Sequence, residues 1–164
     1  MVASLSPIAQ RVAHVCLAIV ATACSQSAPA PAPATAHVEL VEAPAAGGVA
    51  EYVAREVARG ARDHVPVLVY VGATWCEPCH AFQAAAASGT LDAALGPLRF
   101  LVFDLDRDGD RLAAAGYRSA LVPLFAGPNP DGRASGTQIS GVKKGGGYVE
   151  QLTPRIRGLV AEGR

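Results

Sequence analysis

Apolar and polar positions fall into blocks of different period along the chain. Val67, Leu68, Val69, Tyr70 and Val71 form a continuous, largely β-branched run of strand length that stops at Gly72-Ala73-Thr74-Trp75. An Ala-rich, helix-prone segment follows over residues 80–88. A second strand is expected over residues 98–106, a third after Pro123, and a hairpin partner over residues 137–142 beyond the turn Pro128-Asn129-Pro130-Asp131-Gly132. Ahead of the central run, Val49, Val53, Val57 and Ala61 recur at four-residue spacing. They predict an amphipathic helix over residues 49–64 with Glu51 and Arg55 as an i,i+4 pair and a solvated polar face. Residues 37–42 alternate polar and apolar, as an edge strand would. Short helices are expected around residues 91–95 and 111–117, the latter closed by Gly116. Thr153-Pro154 reads as the cap of a final helix whose buried stripe is Ile156, Leu159 and Val160. The order β-α-β-α-β-β-α, with an optional strand at the N-terminal side, predicts an α/β fold with a central mixed sheet flanked by helices on both faces.

Residues 1–36 do not belong to that pattern. Arg11 precedes an apolar stretch over residues 12–23 that is too short to span a bilayer comfortably, and Ala21-Thr22-Ala23 leads to Cys24. This resembles the lipobox of bacterial lipoproteins, with Cys24 as the lipidated mature N-terminus. Ala21 stands where Leu is usual, and His14 interrupts the apolar region. Cleavage by an ordinary signal peptidase after Ala23 is the second reading, and a buried helix with two incidental cysteines the third. Residues 25–36 are Ser, Gln, Ala, Pro and Thr, with Pro29, Pro31 and Pro33 alternating with Ala. Such a segment buries no core and makes an extended, semi-stiff spacer. The expected organisation is a lipoprotein-like signal over 1–23, a tether over 24–36 and one domain over 37–164. It places the domain outside the cytoplasm, lipid-anchored to a bacterial membrane, or else soluble in the periplasm. Cys16 would be discarded with the signal.

Composition narrows the partners. The 164 residues carry 14 basic and 14 acidic side chains, for a formal charge of zero. The arginines are scattered and only 5% of residues are aromatic, so neither a phosphate-tracking nor a base-stacking surface is expected. Asp104, Asp106, Asp108 and Asp110 imitate the start of an EF-hand loop. The bidentate Glu that loop requires is replaced by Ala115, so the carboxylates mark a strand end and a helix start, and no metal site is expected. The glycine-rich stretch 143–147 lacks P-loop spacing and reads as a turn.

The chemistry concentrates at Trp75-Cys76-Glu77-Pro78-Cys79-His80, where the central strand meets a helix. Pro78 suits the first helical positions, because its missing N–H would have had no partner there. Cys76 then sits at the mouth of the turn, where unpaired N–H groups and the helix dipole stabilise a thiolate. Glu77 opposes that effect, so a moderately activated thiol is expected, with Cys79 inside the helix as its resolving partner.

Trp-Cys-x-Pro-Cys directly after an apolar strand resembles the thioredoxin superfamily, in particular the thioredoxin/TlpA-like envelope thiol-disulfide oxidoreductases of bacteria. The resemblance runs from about residue 49 to the C-terminal end and is most specific at Trp75, Cys76, Pro78 and Cys79. It implies a thioredoxin-like fold and an enzyme whose redox-active Cys76–Cys79 disulfide is its only redox group, with no separate cofactor. It also implies a monomer that exchanges disulfides with protein thiols and draws on an unidentified electron donor. Pro123 is expected to be the cis-proline facing the cysteines, with Trp75, Val122 and Pro123 contacting substrate. Val122 would offer its backbone to an extended segment. The chain departs from thioredoxin at Tyr70, where a buried aspartate is usual, at Val122, where threonine is usual, and in a longer stretch before Pro123. With Glu77 and Pro78 between the cysteines, the reducing direction is favoured.

Two alternatives remain at this level. Cys76-Glu77-Pro78-Cys79-His80 is a literal C-x-x-C-H, the attachment pattern of a c-type haem with His80 as proximal ligand. Met1 is the only methionine, which leaves His37 or His64 as the distal ligand, neither in a supporting context. The other alternative is a thioredoxin-like binding module without catalysis.

Overall fold

The computed structural model describes residues 37–163; the expected signal, Cys16, the lipidation site Cys24 and the tether lie outside the described residues. Ten elements follow in order: β1 (Val38–Glu42), α1 (Val49–Asp63), β2 (Val67–Gly72), α2 (Glu77–Ala87), α3 (Asp92–Leu95), β3 (Leu98–Asp104), α4 (Leu105–Ala114), β4 (Leu124–Pro128), β5 (Ala134–Ser140) and α5 (Tyr148–Glu162). The five strands make one mixed sheet in the order β1-β3-β2-β4-β5. The first three are parallel, Tyr70 pairing with Val102, while β4 runs antiparallel to β2, Val71 facing Leu124. This is a thioredoxin-like α/β fold.

The strand pattern explains the layering. β2 and β3 are central and buried on both faces, hence their unbroken apolar runs. One face holds Leu68, Tyr70, Phe100 and Phe125 against Phe82 of α2 and Leu152 and Ile156 of α5. The other holds Val69, Val71, Leu101 and Phe103 against Val49 and Val53 of α1 and Leu112 of α4. On the first face four aromatic rings pack together: Phe82 lies 4.8 Å from Phe125 and 5.1 Å from both Tyr70 and Phe100. That cluster anchors the helix bearing Cys79 to the strand that leads into the cysteine turn. Among the described residues no helix is long and apolar enough to cross a membrane.

Several element boundaries differ from the sequence expectation. The fourth helix was expected over residues 111–117 but spans Leu105–Ala114, and β3 ends at Asp104. Asp104 is the cause: its carboxylate accepts the N–H groups of Asp106 and Arg107 at 2.9 Å, starting the helix at once. Thr153-Pro154 does not cap the last helix, which begins at Tyr148. Thr153 Oγ1 donates to the Val149 carbonyl at 2.7 Å within that helix, and exposed Pro154 is accommodated on its outer face. β5 runs over Ala134–Ser140 rather than residues 137–142. In α1, Val49 and Val53 are buried but Ala61 is exposed, because the helix turns Gly60 inward. A Cβ there would lie 2.5 Å from the Val65 carbonyl oxygen. Its polar face is not simply solvated, and Glu51 and Arg55 do not close as an ion pair. Arg59 instead approaches Glu56 and Asp63, and both carboxylates also face Arg99 of β3, whose side chain is only 7% exposed.

Candidate active site

Cys76 is the N-cap of α2, in extended backbone, and Pro78 occupies the first turn. Its sulfur accepts the Cys79 N–H at 3.3 Å, and its carbonyl accepts from Cys79 and His80. The two cysteines are joined in a disulfide. Cys79 is wholly buried and Cys76 retains 4% exposure. Both belong to the core cluster that contains the aromatic rings beneath α2.

The candidate residues other than Cys24 lie among the described residues. Trp75 is 65% exposed, and its indole N–H donates to Asp106 at 3.0 Å, tying the cysteine turn to the first turn of α4. Glu77 is exposed, and its carboxylate accepts from the Tyr148 hydroxyl at 3.3 Å. The Val122–Pro123 peptide bond is cis. Pro123 is buried, and its carbonyl accepts from Gly141 at 2.9 Å. Leu124 pairs with Val71, which brings the preceding Val122–Pro123 to the end of the sheet where β2 leaves for the cysteines. Among the described residues neither backbone polar group of Val122 has a hydrogen-bond partner.

Tyr70 fills the position where thioredoxin has a buried aspartate. It is fully buried, its hydroxyl lies 3.5 Å from the Cys79 carbonyl oxygen, and Gln83 approaches that hydroxyl at 3.4 Å. A Cβ at Gly72 would stand 2.7 Å from the hydroxyl, so glycine leaves it room. Burial drives this phenol far above its ordinary value, more strongly than the Gln83 hydrogen bond lowers it. Tyr70 therefore stays neutral and supplies no carboxylate for proton transfer at Cys79.

Asp104 and Asp108 hold the start of α4. Asp108 is fully buried and bonded to Arg107 at 2.8 and 3.0 Å, to Arg111 at 3.1 Å and to the Asp104 N–H at 3.1 Å. A c-type haem does not fit either. Thioether attachment needs both sulfurs turned towards a macrocycle, whereas Cys79 is enclosed in the core cluster with Tyr70 and Phe82. His80 is exposed, His37 is bonded to Asp92, and His64 ends α1 in left-handed backbone.

Three site features were not foreseen from sequence: the Trp75–Asp106 and Glu77–Tyr148 hydrogen bonds and the exposed Leu121. The bonds join residues 31 and 71 positions apart, and no local pattern pairs them.

No family model matches the chain, and no curated protein sequence matches it. Among solved structures it is similar to a poplar thioredoxin h, at 26% identity and a TM-score of 0.47 over 75% of this chain and 96% of that one. It is also similar to Trichomonas vaginalis thioredoxin, at 20% identity and a TM-score of 0.46 over 76% and 97% of the two chains. A third similar structure is oxidised thioredoxin O1 from Arabidopsis thaliana, at 20% identity and a TM-score of 0.45 over 76% and 98%.

Proposed function

We propose that this chain is a thiol-disulfide oxidoreductase acting on other proteins. The observation that carries the reading is the cysteine pair itself: Cys76 at a helix N-cap with an N–H aimed at its sulfur, and Cys79 fully buried behind it. In the reducing direction the Cys76 thiolate attacks one sulfur of a substrate disulfide. A Cys76–substrate disulfide forms and the other substrate sulfur leaves as thiolate. The Cys79 thiolate then attacks Cys76, the mixed bond breaks, and the second substrate thiolate leaves. Two electrons pass from the dithiol to the substrate, and Cys76–Cys79 is oxidised. No other redox group takes part. Trp75, Val122 and Pro123 contact the substrate, with the free backbone groups of Val122 receiving an extended segment as an added strand.

The reducing direction follows from Glu77, whose charge beside Cys76 disfavours the thiolate and so the dithiol's stability relative to a strong oxidant. An unidentified reductant regenerates the dithiol. The domain works as a monomer on the periplasmic side of a bacterial membrane, held through lipid on Cys24 and the Pro-Ala tether; release as a soluble periplasmic protein is the alternative.

Intact mass before and after reduction is the test. A gain of two hydrogens, loss of exchange in Cys76→Ser and a trapped mixed disulfide in Cys79→Ser are expected. A Cys76 that reacts no faster than a free thiol would reduce the domain to a binding module. A potential near about −120 mV would reverse the direction, since about 30 mV corresponds to about 1.4 kcal/mol for this couple. The same spectrum reads the lipid on Cys24.

A further inference from the structure

Trp75 and Leu121 are the two large apolar side chains left exposed among the described residues, at 65% and 59%. They belong to the two segments that frame the site, one carrying the cysteines and the other the cis-proline. Leu121 is held in place. Ser119 Oγ accepts its N–H at 3.0 Å and donates to its carbonyl at 2.8 Å. It lies over Gly141, where an added Cβ would stand 3.0 Å from Leu121 Cδ1. Beside it opens a recess of about 520 Å³, walled by Leu121, Val142, Lys143 and Arg155.

The charged side chains that wall the recess, Lys143 and Arg155, are both cationic. Arg155 donates to the carbonyls of Gly141 and Ser140 at 2.6 and 3.0 Å and forms no ion pair among the described residues. Lys143 and Lys144 are the chain's only lysines. Neither enters an ion pair among the described residues, although every pairing there draws on an Arg or a His. The loop bearing them is fixed by Gln151, which accepts the Lys143 N–H at 2.9 Å and donates to the carbonyls of Lys143 and Gly146 at 3.3 and 2.9 Å. It adjoins the cysteines at both ends: Gly141 bonds to Pro123, and Tyr148 bonds to Glu77. The first turn of α5 brings Glu150 to the same loop, its carboxylate oxygen 3.6 Å from where a Cβ at Gly147 would stand, and among the described residues it forms no ion pair with either lysine.

We propose that this recess is a docking subsite for the partner protein, selecting a segment with an apolar side chain followed by carboxylates next to its reactive cysteine. The proposal rests on the exchange reading above and names the class of substrate. The apolar side chain would cover Leu121 and Val142, and the carboxylates would meet Lys143, Lys144 and Arg155. Charge complementarity of this exposed kind favours one partner over another and is weakened by salt.

Two peptides that differ only in Leu-Glu-Glu against Leu-Lys-Lys, each with serine in place of the reactive cysteine, are titrated into the oxidised full-length protein. Amide chemical shifts report where each binds. The acidic peptide should bind at least about fivefold more tightly at low salt and shift residues 141–147, with the advantage shrinking in high salt and vanishing in Lys143→Gln/Lys144→Gln. Equal affinities, a preference for the basic peptide, shifts elsewhere, or no binding would overturn the proposal. The peptides cannot form a disulfide, so the result is independent of exchange. Reduction of hydroxyethyl disulfide by the dithiol protein reports separately on the exchange reading.

Discussion

The Tyr148 hydroxyl donates to the Glu77 carboxylate at 3.3 Å, so the first turn of the last helix holds one of the two residues that separate the cysteines. Glu77 is the one carboxylate between the sulfurs in sequence, and its charge opposes the thiolate that the N-cap position favours. Removing it in Glu77→Gln should lower the pH midpoint of Cys76 alkylation, raise the alkylation rate at mildly acidic pH by about threefold and make the couple more oxidising. Tyr148→Phe should act in the opposite sense and more weakly, because it frees the carboxylate from its donor. The pH profile of iodoacetamide labelling checks both; an unchanged midpoint in Glu77→Gln would remove Glu77 from the site.

Asp108 makes stability fall in acid. Burial acts to raise its carboxyl, but the hydrogen bonds from Arg107 and the Asp104 N–H and the charges of Arg107 and Arg111 outweigh it and hold it below the ordinary carboxylate range. A group depressed in the folded state adds stability above its unfolded value, about 3.9, and loses it as pH falls through the folded value. Urea denaturation between neutral pH and strong acid should show that loss. Asp108→Asn should cost about 2 to 3 kcal/mol at neutral pH and flatten the acid limb.

Arg99 gathers charge from three elements. Its side chain is 7% exposed and faces Glu39 of β1 at 2.7 Å and Asp63 and Glu56 of α1 at 3.5 and 3.9 Å. Arg99→Met should destabilise the fold by about 2 to 3 kcal/mol at pH 7, because three carboxylates are left facing one another. The deficit should shrink in high salt, which screens the repulsion among the carboxylates. A deficit independent of salt would mean that lost packing, not charge, is responsible.

Gly132 lets the β4–β5 turn press on α1. Its φ is +79°, and an added Cβ would overlap the Ala50 carbonyl oxygen and lie 2.6 Å from the Ala54 nitrogen. Both objections apply to any side chain, so Gly132→Ala should cost at least about 2 kcal/mol in chemical denaturation. The Tyr117 hydroxyl, which bonds the Gly132 carbonyl at 2.9 Å, should then exchange its proton faster.

Tyr70 tests whether proton transfer at Cys79 needs this position. Its hydroxyl contacts are long, and burial keeps it neutral. Tyr70→Phe should therefore leave the pH dependence of exchange unaltered and change stability by less than about 1 kcal/mol. A shifted profile would show that the hydroxyl takes part.

The sequence by itself determined the elements whose signals are local. The β-branched run over residues 67–71 reads as a buried strand and the turn after it presents Cys76 at a helix start, whereas the cis form of Pro123 was implied only by the resemblance to thioredoxins. The strand and the helix start follow from side-chain period and capping chemistry, each of which acts over a few residues. Local signals also misled where two were superimposed: Thr153-Pro154 resembles a cap yet lies inside α5, since Gly147 had already started the helix. Tertiary structure alone decided the rest. Tyr148 beside Glu77, Asp106 beside Trp75, Arg99 among carboxylates from two other elements, and Leu121 over Gly141 all join positions that only the strand order β1-β3-β2-β4-β5 brings together. Long-range pairing depends on how the helices cover the two faces of the sheet, and that is a property of the packed whole rather than of any segment.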